Sequence, residues 1–161
     1  MAAQGVFSSE SSQSRATGSS TMRAAVISIG GDLFTIDLKS VQEVFVVESI
    51  TPVPGMPSGL VGVTNLRGTV IPLLDLRPMF RLEAVASLRY AIVVQHLSWQ
   101  VGLLVDAVPE IRTIAKDQFL PAPAGTGEGA VPFVSTVVKL ENRLRGVLET
   151  SMVLSHFEGK G

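Results

Sequence analysis

The 161-residue chain contains no cysteine. Neither a disulfide nor a thiolate metal site can form, and the composition suits a reducing, cytoplasmic compartment. Charge is scarce as well. Charged residues make up 17% of the chain and the net charge is -1, which leaves no basic surface for nucleic acid or acidic lipid. His96 and His156 are the only histidines, and no pair of residues has metal-ligand spacing. No serine lies in a nucleophile-elbow pattern. Carboxylates fall singly at expected strand ends, so no general acid and base can be paired. Long hydrophobic runs are missing too. The longest, such as Val44 to Val47 and Ala91 to Val94, are strand-sized, whereas a membrane-spanning helix needs about 20 residues. No basic region followed by an apolar run opens the chain, so no secretory signal is expected. Together these absences predict no catalytic residues, no metal and no direct membrane insertion.

Apolar residues are what the chain has in quantity: 46% of the total, with a mean hydropathy of +0.40. That balance fits a β-rich fold whose strands are buried on both faces, with apolar surface kept for protein partners. Residues 1–22 have almost no apolar content and are expected to be a disordered tail. Strands are predicted over Ala24 to Ile29 and Leu33 to Asp37, around a turn at Gly30-Gly31-Asp32, and over Val44 to Val47 after a helical turn at 38–42. Pro52, Pro54 and Pro57 make the next segment a stiff, extended loop. Further strands are expected at Arg89 to Val94, Trp99 to Val105, Val108 to Ala115, Phe133 to Leu140 and Leu144 to Glu149. Thr150 or Ser151 would cap a short C-terminal helix reaching about Phe157. The glycines at 125, 127 and 129 mark a loop that is not a phosphate cradle, since no Gly-Lys-Ser/Thr ending follows.

The stretch around which the rest is organised is Gly62-Val63-Thr64-Asn65-Leu66-Arg67-Gly68, followed by Val70-Ile71-Pro72 and Asp75-Leu76-Arg77. It reads as two strands joined at an Arg67-Gly68 turn, with Asp75 capping a short helix that begins at Leu76. An internal echo accompanies it. Ile36-Asp37 with Val41-Gln42-Glu43-Val44 matches Val105-Asp106 with Val108-Pro109-Glu110-Ile111, and Leu73-Leu74-Asp75 matches Val147-Leu148-Glu149. The echo predicts two similar small barrels, the first over about 23–80 and the second over about 89–157, with Asp37, Asp75, Asp106 and Glu149 as caps and turn formers.

The hairpin motif closely resembles the signature of the CheW family, the coupling proteins of bacterial chemosensory arrays. The resemblance extends from Arg23 to Ser155 through Asp32-Leu33-Phe34, the proline loop, Ile92-Val93-Val94 and Val105-Asp106. Ser135-Thr136 and Glu149 depart from the family pattern. Membership would imply an all-β fold of two intertwined five-stranded barrels with short helical turns and a short C-terminal helix. It would also imply no catalysis, no cofactor, and binding to two partners: the regulatory domain of a CheA-type histidine kinase and the cytoplasmic tip of methyl-accepting chemoreceptors. By analogy Val41, Glu43 and Val44 would face the kinase. Leu66, Arg67, Val93 and Val94 would face the receptor.

Each of these residues also has a plainer reading. Arg67 could be a solvated arginine or a brace, Val41 to Val44 ordinary strand alternation, and at least one of Val93 and Val94 buried core. Two other functions compete with the coupling role. One is a scaffold for another chemosensory-type pathway, such as pilus-based motility. The other is a barrel that binds a small molecule.

Overall fold

The computed structural model describes residues 20–82, 90–122 and 132–158. Most of the expected tail, most of the link at 81–88 and most of the glycine-bearing loop lie outside them. The first strand, β1 (Thr21–Ile29), begins two residues before the expected boundary at Arg23, because Thr21 and Met22 pair with Ala115 and Ile114. β2 (Asp32–Asp37), β3 (Val41–Val46), β4 (Leu60–Leu66), β5 (Thr69–Leu74), β6 (Tyr90–His96), β7 (Trp99–Val105), β8 (Glu110–Ala115), β9 (Phe119–Pro121), β10 (Val134–Leu140) and β11 (Arg143–Leu148) follow, and α1 (Thr150–Glu158) ends the order. The fold is all-β apart from that helix and short turns. Val108 and Pro109 precede β8 rather than joining it, which keeps the proline out of the ladder.

Two sheets form, in the orders β8-β1-β2-β11-β10-β9 and β3-β6-β7-β5-β4. The expected division into a barrel at 23–80 and another at 89–157 therefore fails at the level of strands. Each half of the chain gives its first hairpin to the other half's sheet: β1–β2 joins β8, β10 and β11, while β6–β7 joins β3, β4 and β5. The expected count of five strands each becomes six and five, because β9 adds a short edge to β10. The echo holds in part: the registers equate Glu43 with Glu110 and Leu73 with Val147, but they set Ile36 against Leu103 rather than Val105. Each sheet holds one parallel junction, β2 with β11 and β5 with β7. Each long hairpin carries a bulge at the equivalent place, between Leu60 and Gly62 and between Val134 and Thr136.

The exchange explains the hydropathy. The two exchanged hairpins pack on each other through Ile27, Ile29, Phe34 and Ile36 from one, and Ile92, Val94, Val101, Leu103 and Val105 from the other. Their opposite faces line the two barrel interiors, with Ala24 and Val26 in one and Ala91 and Leu104 in the other. Strands covered on both sides need apolar residues at every position rather than at alternate ones. α1 closes the main core with Val153, Leu154 and Phe157. It starts at Thr150, and the Glu149 carbonyl accepts from the amides of Met152 and Val153, so Glu149 rather than Thr150 or Ser151 holds the capping position. After β5 the chain makes one tight turn instead of a helix. Asp75 Oδ1 accepts from the Arg77 amide at 3.0 Å. The turn ends with Leu82 N donating to Arg77 O, Arg81 N donating to Pro78 O and Arg81 at φ 60, the pairing by which helix ends commonly stop.

Carboxylates at the sheet ends fasten the exchanged parts. Asp106, just past β7, accepts from Ser28 Oγ at 2.7 Å, Gly31 N at 2.8 Å and Gly30 N at 3.0 Å, and so holds the β1–β2 turn. Arg77 is buried with Asp75 and donates to its carboxylate through Nε at 3.0 Å and Nη2 at 2.8 Å. Burial pushes the Asp106 carboxyl up, but the Gly31 amide, the Ser28 hydroxyl, the Gly30 amide and the Arg77 charge outweigh it and hold the group below its ordinary 3.8. A lowered folded pKa contributes stability that is present above the unfolded value, about 3.9, and is lost as pH falls through the folded value. Asp106→Asn should therefore destabilise the protein at pH 7 by about 1–3 kcal/mol and flatten the loss of stability seen on acidification below about pH 4. Denaturant titrations across that range check both effects, and an unchanged acid limb would count against the clamp.

Candidate protein-interaction site

The hairpin motif has a physical reason at nearly every position. Gly62 lies in the β4 bulge at φ 153, and a Cβ there would meet the Thr51 carbonyl oxygen at 2.5 Å. Only glycine lets the proline loop come so close, and Thr51 then exchanges both backbone hydrogen bonds with Val63, at 2.8 and 2.9 Å. Thr64 Oγ1 donates to the Ser49 carbonyl at 2.8 Å and ties the same loop down. The Asn65 side chain accepts from the Gly68 amide at 2.9 Å. Arg67 at φ 51 and Gly68 at φ 88 make the two-residue turn whose twist matches that of the strands. The result is a stiff hairpin with an arginine at its tip.

Arg67 does not stand free in solvent. Its guanidinium pairs with the Glu43 carboxylate on β3, whose hydrogen bond raises the arginine above its ordinary pKa. β3 and β4 are the two edges of one sheet. A contact between β3 and the β4–β5 turn means that the sheet curls until its edges meet, and the ion pair clasps the barrel mouth. Beside it the Gln42 amide donates to Gln95, and Gln100 donates to Gln42. This glutamine bridge carries no sequence signal, because its members come from three separate strands.

The other expected residues fall in different environments. Val44 is exposed on the outer side of β3, as is Val46 at 56%. Val41 lies across from Val94 and packs against the main core. A register shift separates it from Glu43, so the expected trio of Val41, Glu43 and Val44 does not share one face. Leu66 is half-buried at the end of β4. Val93 and Val94 are corrected outright as groove-lining side chains, since both are buried, at 1% and 0%. β6 lies between β3 and β7, with one face to the barrel interior and the other to the core between the sheets, so neither of its alternating faces reaches solvent. Among the described residues no group of His, Cys, Asp and Glu could hold a metal ion, and no helix is long and apolar enough to cross a membrane.

A rigid two-barrel frame with an exposed apolar edge strand and a clasped hairpin tip defines a protein-binding module, a scaffold in class. The family model described as CheW-like domain matches residues 23–158. A chemotaxis protein CheW from Rhizobium meliloti is 32% identical over 127 residues, 78% of this chain and 82% of that one. Its counterpart from Klebsiella aerogenes is 28% identical over 135 residues, covering 83% and 81%. The crystal structure of the scaffolding protein TtCheW from Thermoanaerobacter tengcongensis superposes with a TM-score of 0.69 at 31% identity, covering 78% of this chain and 87% of that one. The chain belongs to the CheW-like family of chemotaxis adaptor proteins.

Two measurements test the geometry of this hairpin. Because the Arg67–Glu43 pair is exposed, Arg67→Ala should change stability little, and a double-mutant cycle with Glu43→Gln should return a correspondingly small coupling. Gly62→Ala should cost more than about 2 kcal/mol, because the new Cβ must displace backbone and occupy a strained φ. Equal effects of Arg67→Ala and Gly62→Ala in chemical denaturation would contradict the assignment.

Proposed function

We propose that the chain is a non-enzymatic adaptor that couples the cytoplasmic tips of methyl-accepting chemoreceptors to the regulatory domain of a CheA-type histidine kinase. The observation that carries this reading is β3, an edge strand that pairs on one side only and turns Val44 and Val46 to solvent. Exposed apolar edges are costly to leave bare and fit a protein partner. In this reading Val44 makes direct kinase contact, while Val41 sets the strand from beneath and Glu43 sets it through the clasp. Leu66 and Arg67 present the hairpin to the receptor tip. Val93 and Val94 act from within, by fixing the floor under both. The adaptor performs no bond chemistry. It holds two partners on one stiff frame, and many such weak contacts add up in an array at the cytoplasmic face of the membrane.

The test is a binding titration of the full chain against a CheA-type regulatory domain and a receptor-tip fragment from the same organism. Wild type should bind each saturably. Val44→Asp should weaken kinase binding by roughly tenfold or more, the effect of a charge in an apolar contact, with circular dichroism unchanged. Arg67→Ala should weaken receptor-tip binding more than kinase binding. Val41→Asp is a poorer probe, because Val41 packs on the core. No association of the wild type with either partner would overturn the proposal.

A further inference from the structure

The internal repeat sets a second barrel mouth against the clasped one, position by position. The registers equate Ala24 with Ala91, Glu110 with Glu43, Leu140 with Leu66 and Glu141 with Arg67. In the first mouth Phe45 stands opposite Ala91 and packs with Leu73, Ala91 and Leu104, and Ile71 is buried nearby at 3%. In the second mouth Arg112 stands opposite Ala24 in the place of Phe45, and Arg145 opposite Val138 in the place of Ile71. Pro109, Ser28 and Leu33 replace the glutamine bridge. The second mouth has therefore lost the two apolar side chains and the polar lid that fill the first.

What remains is a cavity of about 220 Å³. Val26, Leu33, Val108 and Leu140 line it, and its charged groups are Arg112 and Arg145 together with Glu110 and Glu141. The Thr35 hydroxyl, paired across the strands with Val26 on the same barrel-interior face, is fully buried and has no hydrogen-bond partner. Arg112 is held loosely, 3.5 Å from Glu110 and 3.4 Å from Glu141. Among the described residues no ion pair or side-chain hydrogen bond engages the guanidinium of the half-buried Arg145.

We propose that this second mouth is a socket for one large apolar side chain of a protein partner, aromatic like the Phe45 it stands in for, carried next to a carboxylate that pairs with Arg145. Size and charge both select that occupant. The space is smaller than the roughly 300–1,000 Å³ of small-molecule pockets and suits a single side chain. The apolar floor gains from being covered, and an unengaged guanidinium favours a carboxylate with two acceptor oxygens. The socket is independent of which kinase or receptor the chain serves.

The test follows backbone amide signals of the full chain during titration with a blocked tetrapeptide of glycine, phenylalanine, glutamate and glycine. Two control peptides replace phenylalanine by alanine or glutamate by lysine, and 3-phenylpropionate serves as a small carboxylate. The expected result is saturable shifts clustered at Val26, Leu33, Leu140 and Arg145, with a Kd on the order of 1 mM. Either control peptide, or the Arg145→Ile variant, should weaken binding about tenfold. Arg112→Phe, which restores the filling of the first mouth, should keep the fold and abolish the shifts. Absence of saturable shifts overturns the proposal, as do equal shifts with the alanine peptide or undiminished binding in Arg145→Ile. Binding of 3-phenylpropionate as tight as that of the peptide also overturns it, since the mouth would then be a small-molecule site.

Discussion

The two-barrel frame depends on fastening hairpins that have crossed into the opposite sheet. Asp106 does this at one end of the molecule, with the buried Asp75–Arg77 pair beside it. Asp106 leaves the end of β7 and closes on the Gly30-Gly31 turn of the other sheet. Arg77 lies just beneath, near enough for a Cβ on Gly30 to meet its Cγ at 3.4 Å. A buried ion pair of this kind contributes little net stability, yet removing one partner costs about 3–5 kcal/mol because the other is left uncompensated. Its value here is positional. Without such fixed points the hairpins could pack on each other through apolar faces in more than one register, since the hydrophobic effect has no direction.

That frame in turn makes the exposed elements useful. In the proposed adaptor role the chain transmits geometry, so the parts offered to partners must not yield. The proline loop is laced to β4 through Thr51 and Thr64, the hairpin turn is locked by Asn65, and the β3 edge is clasped by Glu43 and Arg67. The clasp is weak in energy because it is exposed. It acts on the free surface of the barrel mouth, where a partner would read its position.

Much of this was legible in the chain itself. The high apolar content fits strands covered on both faces, and the Arg67-Gly68 and Gly30-Gly31 turns fall where residue type places them. The four carboxylates expected to cap or form turns sit at strand ends, and Asp37, Asp75 and Asp106 accept backbone amides there. The intertwining of the barrels follows only from the family resemblance and not from the strand patterns, because a strand's pattern records that its faces are buried but not which sheet buries them. The same limit misplaced Val93 and Val94. The resemblance suggests surface for both and strand alternation buries at least one, while the covering of β6 on both faces is a property of topology. The Arg67–Glu43 contact also escaped, since it joins residues far apart in sequence whose meeting depends on the curl of the sheet.

The account rests on β3 and the hairpin tip being the surface that partners bury. Amide hydrogen exchange of the full chain, with and without a CheA-type regulatory domain, tests it most directly. The account predicts added protection confined to β3 and the adjoining barrel mouth, with the Asp106 clamp and the hairpin core unchanged. Protection centred instead on α1 and the outer edge of β9, with β3 unaffected, would contradict it.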